Sequence, residues 1–296
     1  MNLNDFPLQN RRIKTGVLGE WLQKAHAQLR HFPEISISSV HAIIGHVLNK
    51  PAHIGLSHPE IKISNSDEKD LYFLFYRLLA GEPLPYLIGK QEFFGIDFNV
   101  TPAVLIPRPE TELMVEIALE WLKEKNQIIL MADVGIGSGC VSVALAKQLP
   151  NISILGTDVS YQALQVAKGN IKKYKLENQI QLIQTNLLSG LSARFDNIYA
   201  NLPYIPTNKL SSLSVRNYEP HLALDGGYDG LRIIEPLLYQ AKNSIRLGGQ
   251  ILLEIESNSS SSVKNMATFI FQDASIKIHN DLAGLPRLVQ INLNGK

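Results

Sequence analysis

From about residue 110 to its last residues the chain alternates helix-like segments with short apolar runs, and this alternation constrains its fold more than any other feature. Helices are predicted over residues 110–124, 139–149, 160–175, 229–246 and 257–271. Strands are predicted over Ile128–Val134, Ile152–Thr157, Ile180–Gln184, Asp196–Ala200 and Gln250–Ile255. Strands joined through helices pair in parallel, and the helices then cover both faces of the sheet. Two late strands, Ser275–His279 and Arg287–Asn292, lie close together and predict an antiparallel hairpin at one edge. The fold class is therefore α/β.

The residues before this pattern read differently. Val17, Leu18, Trp21, Leu22, Ala25 and Leu29 recur at helical spacing, as do Val40, Ile43, Ile44, Val47 and Leu48, with Ser38 and Ser39 as candidate caps. Ser66 and Asp67 open a third helical segment through Leu71, Leu74, Phe75, Leu78 and Leu79, ending at Gly81. The expected organisation is a helical domain over 1–81, a β-hairpin linker over 82–109 with strands around Gly95, and an α/β domain over 110–296.

Composition narrows the class. At 45% hydrophobic and 19% charged residues the 296-residue chain is an ordinary globular one, without an apolar run long enough to span a bilayer. Cys140 is the only cysteine, which removes disulfide frameworks and cysteine metal clusters and suits a reducing compartment; a cytoplasmic location is expected. A net charge of +1 offers no global basic field, so stable nucleic-acid binding is not expected. Arg11, Arg12 and Lys14 resemble a transit peptide, but Asp5 and the lack of serine argue against one. The histidines at 26, 31, 41, 46, 53 and 58 fit no zinc spacing and read as solvated or capping groups, so no metal is expected.

Two motifs carry chemistry. Asp133-Val-Gly135-Ile136-Gly137-Ser-Gly139-Cys140 follows the first α/β strand and opens a helix. Glycines there let a ligand approach the backbone beyond the strand ends. Asp158, at the end of the next strand, can take both hydroxyls of a ribose. The spacing is not the Gly-x-Gly-x-x-Gly of dinucleotide sites. Asp133 beside the loop suits a cationic ligand such as S-adenosylmethionine better than a pyrophosphate; its other reading is a loop hydrogen bond. The second motif, Asn201-Leu202-Pro203-Tyr204, follows a buried strand. An Asn amide, a turned backbone and an aromatic ring can hold a flat polar group for transfer to a planar nitrogen. Alone, an Asn before Pro is equally a turn.

Together these motifs resemble class I S-adenosylmethionine-dependent methyltransferases acting on amide or amine nitrogen, and in particular the peptide chain release factor glutamine methyltransferases. The resemblance runs through Gly81-Glu-Pro-Leu-Pro-Tyr-Leu-Ile-Gly89, Ile106-Pro-Arg-Pro-Glu-Thr111, the glycine loop, Tyr218-Glu-Pro-His-Leu-Ala-Leu224 with the following Asp-Gly-Gly-Tyr-Asp-Gly230, and Asp281-Leu-Ala-Gly-Leu-Pro-Arg287. It implies a Rossmann-like sheet, S-adenosylmethionine as cofactor, and methyl transfer to the glutamine of a Gly-Gly-Gln loop in release factors, with the helical domain docking that partner and the enzyme a monomer. It also implies that Gly135, Ile136, Gly137 and Gly139 form the cofactor loop and that Asp158 binds ribose. Arg108, Glu110 and Thr111 belong to the segment that closes the site. Asn201 and the Leu202 carbonyl become the amide acceptors, and Tyr204 the stacking ring.

Two departures stand out. Leu202 replaces the usual proline but keeps the carbonyl. Asn186 replaces the usual aspartate that contacts adenine, keeping an acceptor oxygen without charge. A ribosomal-protein glutamine or adenine N6 in DNA is the alternative substrate, and a non-catalytic cofactor-binding module the alternative class.

Overall fold

The computed structural model describes residues 16–123, 125, 127–211 and 214–295. Asp5, Arg11, Arg12 and Lys14 of the transit-peptide reading, and Glu124 at the end of one predicted helix, lie outside the described residues. The chain divides into two compact units, Met1–Ile88 and Gly89–Lys296.

The first unit is helical: α1 Leu18–Leu29, α2 Ile37–Leu48, α3 Ile54–Ser57, α4 Asn65–Leu79 and α5 Leu84–Ile88. The apolar positions read at spacings of three and four form its core, among them Leu18, Trp21, Val40, Ile43, Ile44, Leu71 and Phe75. The caps differ from expectation. Ser36, not Ser38 or Ser39, caps α2 by accepting the Ser38 N–H. Ser64 caps α4 in a reciprocal box with Asp67, two residues before the expected start. A cap must lie outside the helix with its side chain folded back, so the earlier serine wins. His41 is buried and meets the His26 ring edge-on at 6.0 Å, so this pair is core packing rather than solvated or capping.

The second unit opens with the antiparallel hairpin β1 Lys90–Phe93 and β2 Ile96–Asn99. Then follow α6 Glu112–Leu122, β3 Ile129–Val134, α7 Cys140–Gln148, β4 Ile152–Asp158, α8 Tyr161–Lys173, β5 Ile180–Gln184 and β6 Phe195–Ala200. After β7 Ile205–Pro206, α9 Thr207–Leu210 and β8 Asp225–Gly227 come α10 Ile234–Ser244, β9 Ile245–Glu254, α11 Ser260–Ile270, β10 Ala274–Asn280 and β11 Pro286–Leu293. The central sheet has seven strands in the order β10-β11-β9-β6-β3-β4-β5. It is parallel from β9 to β5, and β10 and β11 form the antiparallel edge.

Strand side chains alternate between faces. Met131, Tyr199 and Leu252 pack with Met114 of α6, Val143 of α7 and Leu164 of α8. Val134, Ile198 and Leu253 pack on the other face with Leu237 of α10 and Val263 of α11. Burying each such aliphatic side chain contributes about 1.5–3 kcal/mol, so the two apolar layers hold the sheet and fix which face every strand residue takes. The chain leaves the sheet centre in opposite directions after β3 and β6, and this switch point is where ligands bind in open α/β sheets.

Two predicted boundaries shift by five residues. α10 starts at Ile234 rather than near 229, because Asp229 and Gly230 form a turn against the backbone of Tyr204. β9 starts at Ile245, inside the predicted helix, because Ile245 pairs with Phe195.

Candidate active site

The loops after β3 and β6 meet at this switch point. Gly135, Gly137 and Gly139 have φ of 75°, 55° and 78°, backbone that side-chain-bearing residues rarely adopt. Gly135 N–H and Ile136 N–H both donate to the Thr157 carbonyl, at 2.8 and 2.9 Å, which folds the loop over the end of β4. A Cβ at Gly139 would make only ordinary contact with Ala167 at 3.5 Å, so it is the φ of 78° that favours glycine there. Asp158 accepts Gly137 N–H at 3.1 Å and Ser160 N–H at 2.9 Å. A carboxylate offers about four lone-pair sites, so acceptor capacity remains. Burial raises the pKa of Asp158, and those backbone hydrogen bonds oppose the rise.

Asp133 is buried and lines a cavity with Arg108, Thr111, Gly135, Ile136, Gly137 and Asn201. Ser142 Oγ donates to Asp133 at 2.6 Å and lies 2.9 Å from Tyr199 Oη. Desolvation pushes the Asp133 carboxyl up to about 7. A carboxyl in a cavity wall, whose charged form burial disfavours, fits a positively charged ligand that would stabilise that charge. With Asp158 at the neighbouring strand end, the donor set would repel a pyrophosphate and fits S-adenosylmethionine.

Asn201 follows β6. Tyr199 pairs with Leu252 and Ala200 with Leu253, so the same register sets Asn201 beside Glu254 at the end of β9. Asn201 Nδ2 donates to Glu254 Oε2 at 2.9 Å and to Thr111 Oγ1 at 3.1 Å. Thr111 Oγ1 donates to Glu254 Oε2 at 2.7 Å, and Tyr204 Oη donates to Glu254 Oε1 at 3.1 Å. The amide nitrogen of Asn201 is thus turned to Glu254 and Thr111, and its Oδ1 is the end left to accept. Burial raises the Glu254 pKa, against the hydrogen bonds from Thr111 and Tyr204 and the charge of Arg287. Burial and the nearby Glu254 carboxylate raise the Tyr204 phenol as well, so the hydroxyl stays a donor.

Leu202 does more than preserve a carbonyl. Its side chain is buried, and Cδ2 lies 3.0 Å from where a Cβ on Gly135 would stand. The Asn-Leu-Pro-Tyr turn therefore packs directly on the glycine loop. From the other side, a Cβ on Gly226 would lie 2.8 Å from the Pro203 carbonyl oxygen, and one on Gly230 would lie 2.3 Å from that of Tyr204. These glycines let the 225–230 segment lie against the turn.

Arg108 forms an ion pair with Glu219, whose side chain is fully buried, and thereby ties the Ile-Pro-Arg-Pro segment to the Glu-Pro segment. Glu110 is exposed and does not line the cavity, whereas Thr111 does. Asn186 is exposed beyond β5, one residue after Thr185, whose N–H donates to the Asp158 carbonyl. Cys140 packs on the core below the loop, and burial pushes its thiol up to about 12, far from a nucleophilic thiolate. Among the described residues no group of three His, Cys, Asp or Glu could hold a metal.

Residues 111–217 match the family model of the Methyltransferase small domain, and residues 20–89 that of the PrmC N-terminal domain. A release factor glutamine methyltransferase of Moorella thermoacetica is 44% identical over 214 residues, 71% of this chain and 75% of its own length. The chain belongs to the release factor glutamine methyltransferase family. A Coxiella burnetii relative of the same name is 37% identical over 246 residues, 82% of this chain and 87% of its own. Among solved structures, the hMettl16 catalytic domain, solved with an RNA hairpin, is 15% identical and superposes with a TM-score of 0.55 over 78% of this chain and 82% of that one, a likeness of fold.

The sequence motifs of the family identify Asn201 and Tyr204 but not Glu254, which ties them together. Its signal was present: one charged residue inside the apolar run Ile251-Leu-Leu-Glu-Ile255, at a position facing the same side as Leu252. A lone carboxylate at an inward position is rarely idle. Glu219, the buried partner of Arg108, likewise lies inside the segment Tyr218–Leu224, where local sequence does not reveal its partner.

Proposed function

We propose that this chain transfers a methyl group from S-adenosylmethionine to the side-chain amide nitrogen of the glutamine in the Gly-Gly-Gln loop of peptide chain release factors. One observation carries this reading beyond family membership. Asn201 lines the same cavity as the glycine loop, with its amide nitrogen held by Glu254 and Thr111. A carbonyl oxygen confined to accepting, beside a cofactor loop, suits an incoming N–H.

S-adenosylmethionine, when bound, supplies a methyl group on a positively charged sulfonium. Gly135, Ile136, Gly137 and Gly139 cradle it, Asp133 meets its cationic end, and Asp158 takes the ribose hydroxyls. Asn186 accepts from the adenine amino group. Arg108, Glu110 and Thr111 belong to the segment closing the site. An amide nitrogen is a poor nucleophile, because its lone pair is delocalised into the carbonyl. Asn201 Oδ1 and the Leu202 carbonyl each accept one N–H of the substrate amide. They fix its orientation and oppose the positive charge that develops on nitrogen. Pro203 turns the backbone and the Tyr204 ring stacks on the amide plane. The alkylated nitrogen is acidic, so its proton leaves after transfer and no general base is needed.

The helical residues 1–81 dock the release factor, and the hairpin region 82–109 links them to the methyltransferase domain over 110–296. The enzyme works as a monomer in the cytoplasm without a stable nucleic-acid partner, consistent with a net charge of +1. Competition tests this reading. Offered labelled S-adenosylmethionine with a release factor, ribosomal proteins and an adenine-containing DNA duplex, the enzyme should label the release factor. Label in the duplex or the ribosomal proteins, with the release factor bare, would overturn it.

A further inference from the structure

The strand end opposite the Asn-Leu-Pro-Tyr turn holds a buried acid with no assigned task. Glu254 is 2% exposed, yet it accepts three hydrogen bonds: from Thr111 at 2.7 Å, Asn201 at 2.9 Å and Tyr204 at 3.1 Å. We propose that Glu254 is the positioning residue of the methyl-acceptor site, holding the amide nitrogen of Asn201 and the hydroxyl of Tyr204 so that Asn201 turns its carbonyl oxygen to the substrate amide.

An asparagine side chain is nearly symmetric in shape but opposite in polarity at its two ends. Rotated by half a turn, it would aim an NH₂ group at the NH₂ group of the substrate, and two donors cannot pair. The carboxylate removes that alternative. In the rotated state Asn201 Oδ1 would face Glu254 Oε2, acceptor against acceptor, in a buried setting where an unpaired polar atom costs about 1–3 kcal/mol. The same carboxylate polarises the Asn201 amide. Drawing on its N–H increases electron density on Oδ1, where the positive charge growing on the substrate nitrogen is met. Thr111 completes the arrangement, since its hydroxyl accepts from Asn201 while donating to Glu254. The side of the strand on which Glu254 emerges follows from register, because Leu252 pairs with Tyr199 two residues before Asn201.

This inference rests on the reading of Asn201 as the amide acceptor, and the test separates the two. Turnover and KM for a release factor are measured on Glu254→Leu, Glu254→Gln and Asn201→Ala, with S-adenosylmethionine affinity by calorimetry. Glu254→Leu is expected to lower kcat on the order of 100-fold, as loss of one preorganised polar group does, with cofactor affinity and KM little changed. Glu254→Gln is expected to recover much of the rate. Its carbonyl can still accept from Asn201 and Thr111 while its amide donates to Tyr204 Oη. A Leu variant with wild-type kcat, beside a slow Asn201→Ala, would overturn the role of Glu254 alone. Leu and Gln variants equally slow, with cofactor affinity lost in step, would show a merely structural acid and also overturn it. Asn201→Ala at the wild-type rate would overturn the acceptor reading beneath both. Should Glu254→Leu not fold, Thr111→Val takes its place: kcat should fall roughly ten-fold, less than for a whole acceptor group, and an unchanged kcat would overturn the proposal.

Discussion

Asn201 carries a donor end and an acceptor end, and its surroundings decide which one a substrate meets. Replacing it by Ala should leave S-adenosylmethionine affinity nearly intact, because the ribose and backbone contacts proposed for the cofactor belong to other loops. The same change should lower kcat by roughly 100-fold or more, since the acceptor matters most as charge develops. Calorimetry and initial rates read the two effects separately. Asp158→Ala should do the reverse and weaken the cofactor by about 1.5–3 kcal/mol, the worth of charge-assisted hydrogen bonds; equal affinity in a folded variant would remove Asp158 from the site. Asp133 adds a pH signature. Its carboxyl is held at about 7 by burial, against a reference value of 3.8. Between those values the native chain keeps a proton that the unfolded chain has released, so the contribution of this group to stability falls as pH rises through that window. A cationic ligand favours the ionised form. Cofactor binding should therefore release protons near pH 7, and affinity should rise from pH 6 to pH 8. Titrations in buffers of different ionisation enthalpy would show this release, and Asp133→Asn should abolish it.

At the level of elements, the alternation of apolar runs was enough to read the parallel sheet, its crossover helices and the antiparallel edge hairpin. Each depends on local periodicity and connection length. Boundaries set by distant contacts were not legible. Nothing local in residues 229–233 says that Gly230 must lie against the Tyr204 carbonyl, or that Ile245 pairs with Phe195. The short pairing of β7 with β8 was missed for the same reason, since Ile205 and Asp225 are brought together only by the chain between them. In the site, the glycine loop and the Asn-Leu-Pro-Tyr turn were visible as motifs, whereas the Glu254 and Glu219 carboxylates act through partners far away in sequence. Gly230→Ala tests the close approach. Its φ of 80° and the 2.3 Å separation leave no room for a Cβ, so the variant should lose roughly 1–3 kcal/mol in a denaturant titration, as overpacked sites do. Leu202→Ala should cost about 2–5 kcal/mol for the cavity left. It should also weaken cofactor binding, because the side chain supports the glycine loop at Gly135.

Over the whole molecule, every cofactor and acceptor motif lies in the unit Gly89–Lys296, while Met1–Ile88 holds a helical core of its own. The proposed division of labour places chemistry in the second unit and recognition of the release factor in the first. A fragment spanning 89–296, shown by circular dichroism to be folded, should bind S-adenosylmethionine normally yet methylate intact release factor poorly. Undiminished turnover by that fragment would assign recognition to the α/β unit as well. Both expectations assume that the acceptor atom is the amide nitrogen of one particular glutamine. Tandem mass spectrometry of a release factor incubated with the enzyme and isotopically labelled S-adenosylmethionine reads that atom directly. One labelled methyl group on the side-chain nitrogen of the Gly-Gly-Gln glutamine is the predicted result; an unmodified glutamine there, with label on any other residue or none at all, would contradict it.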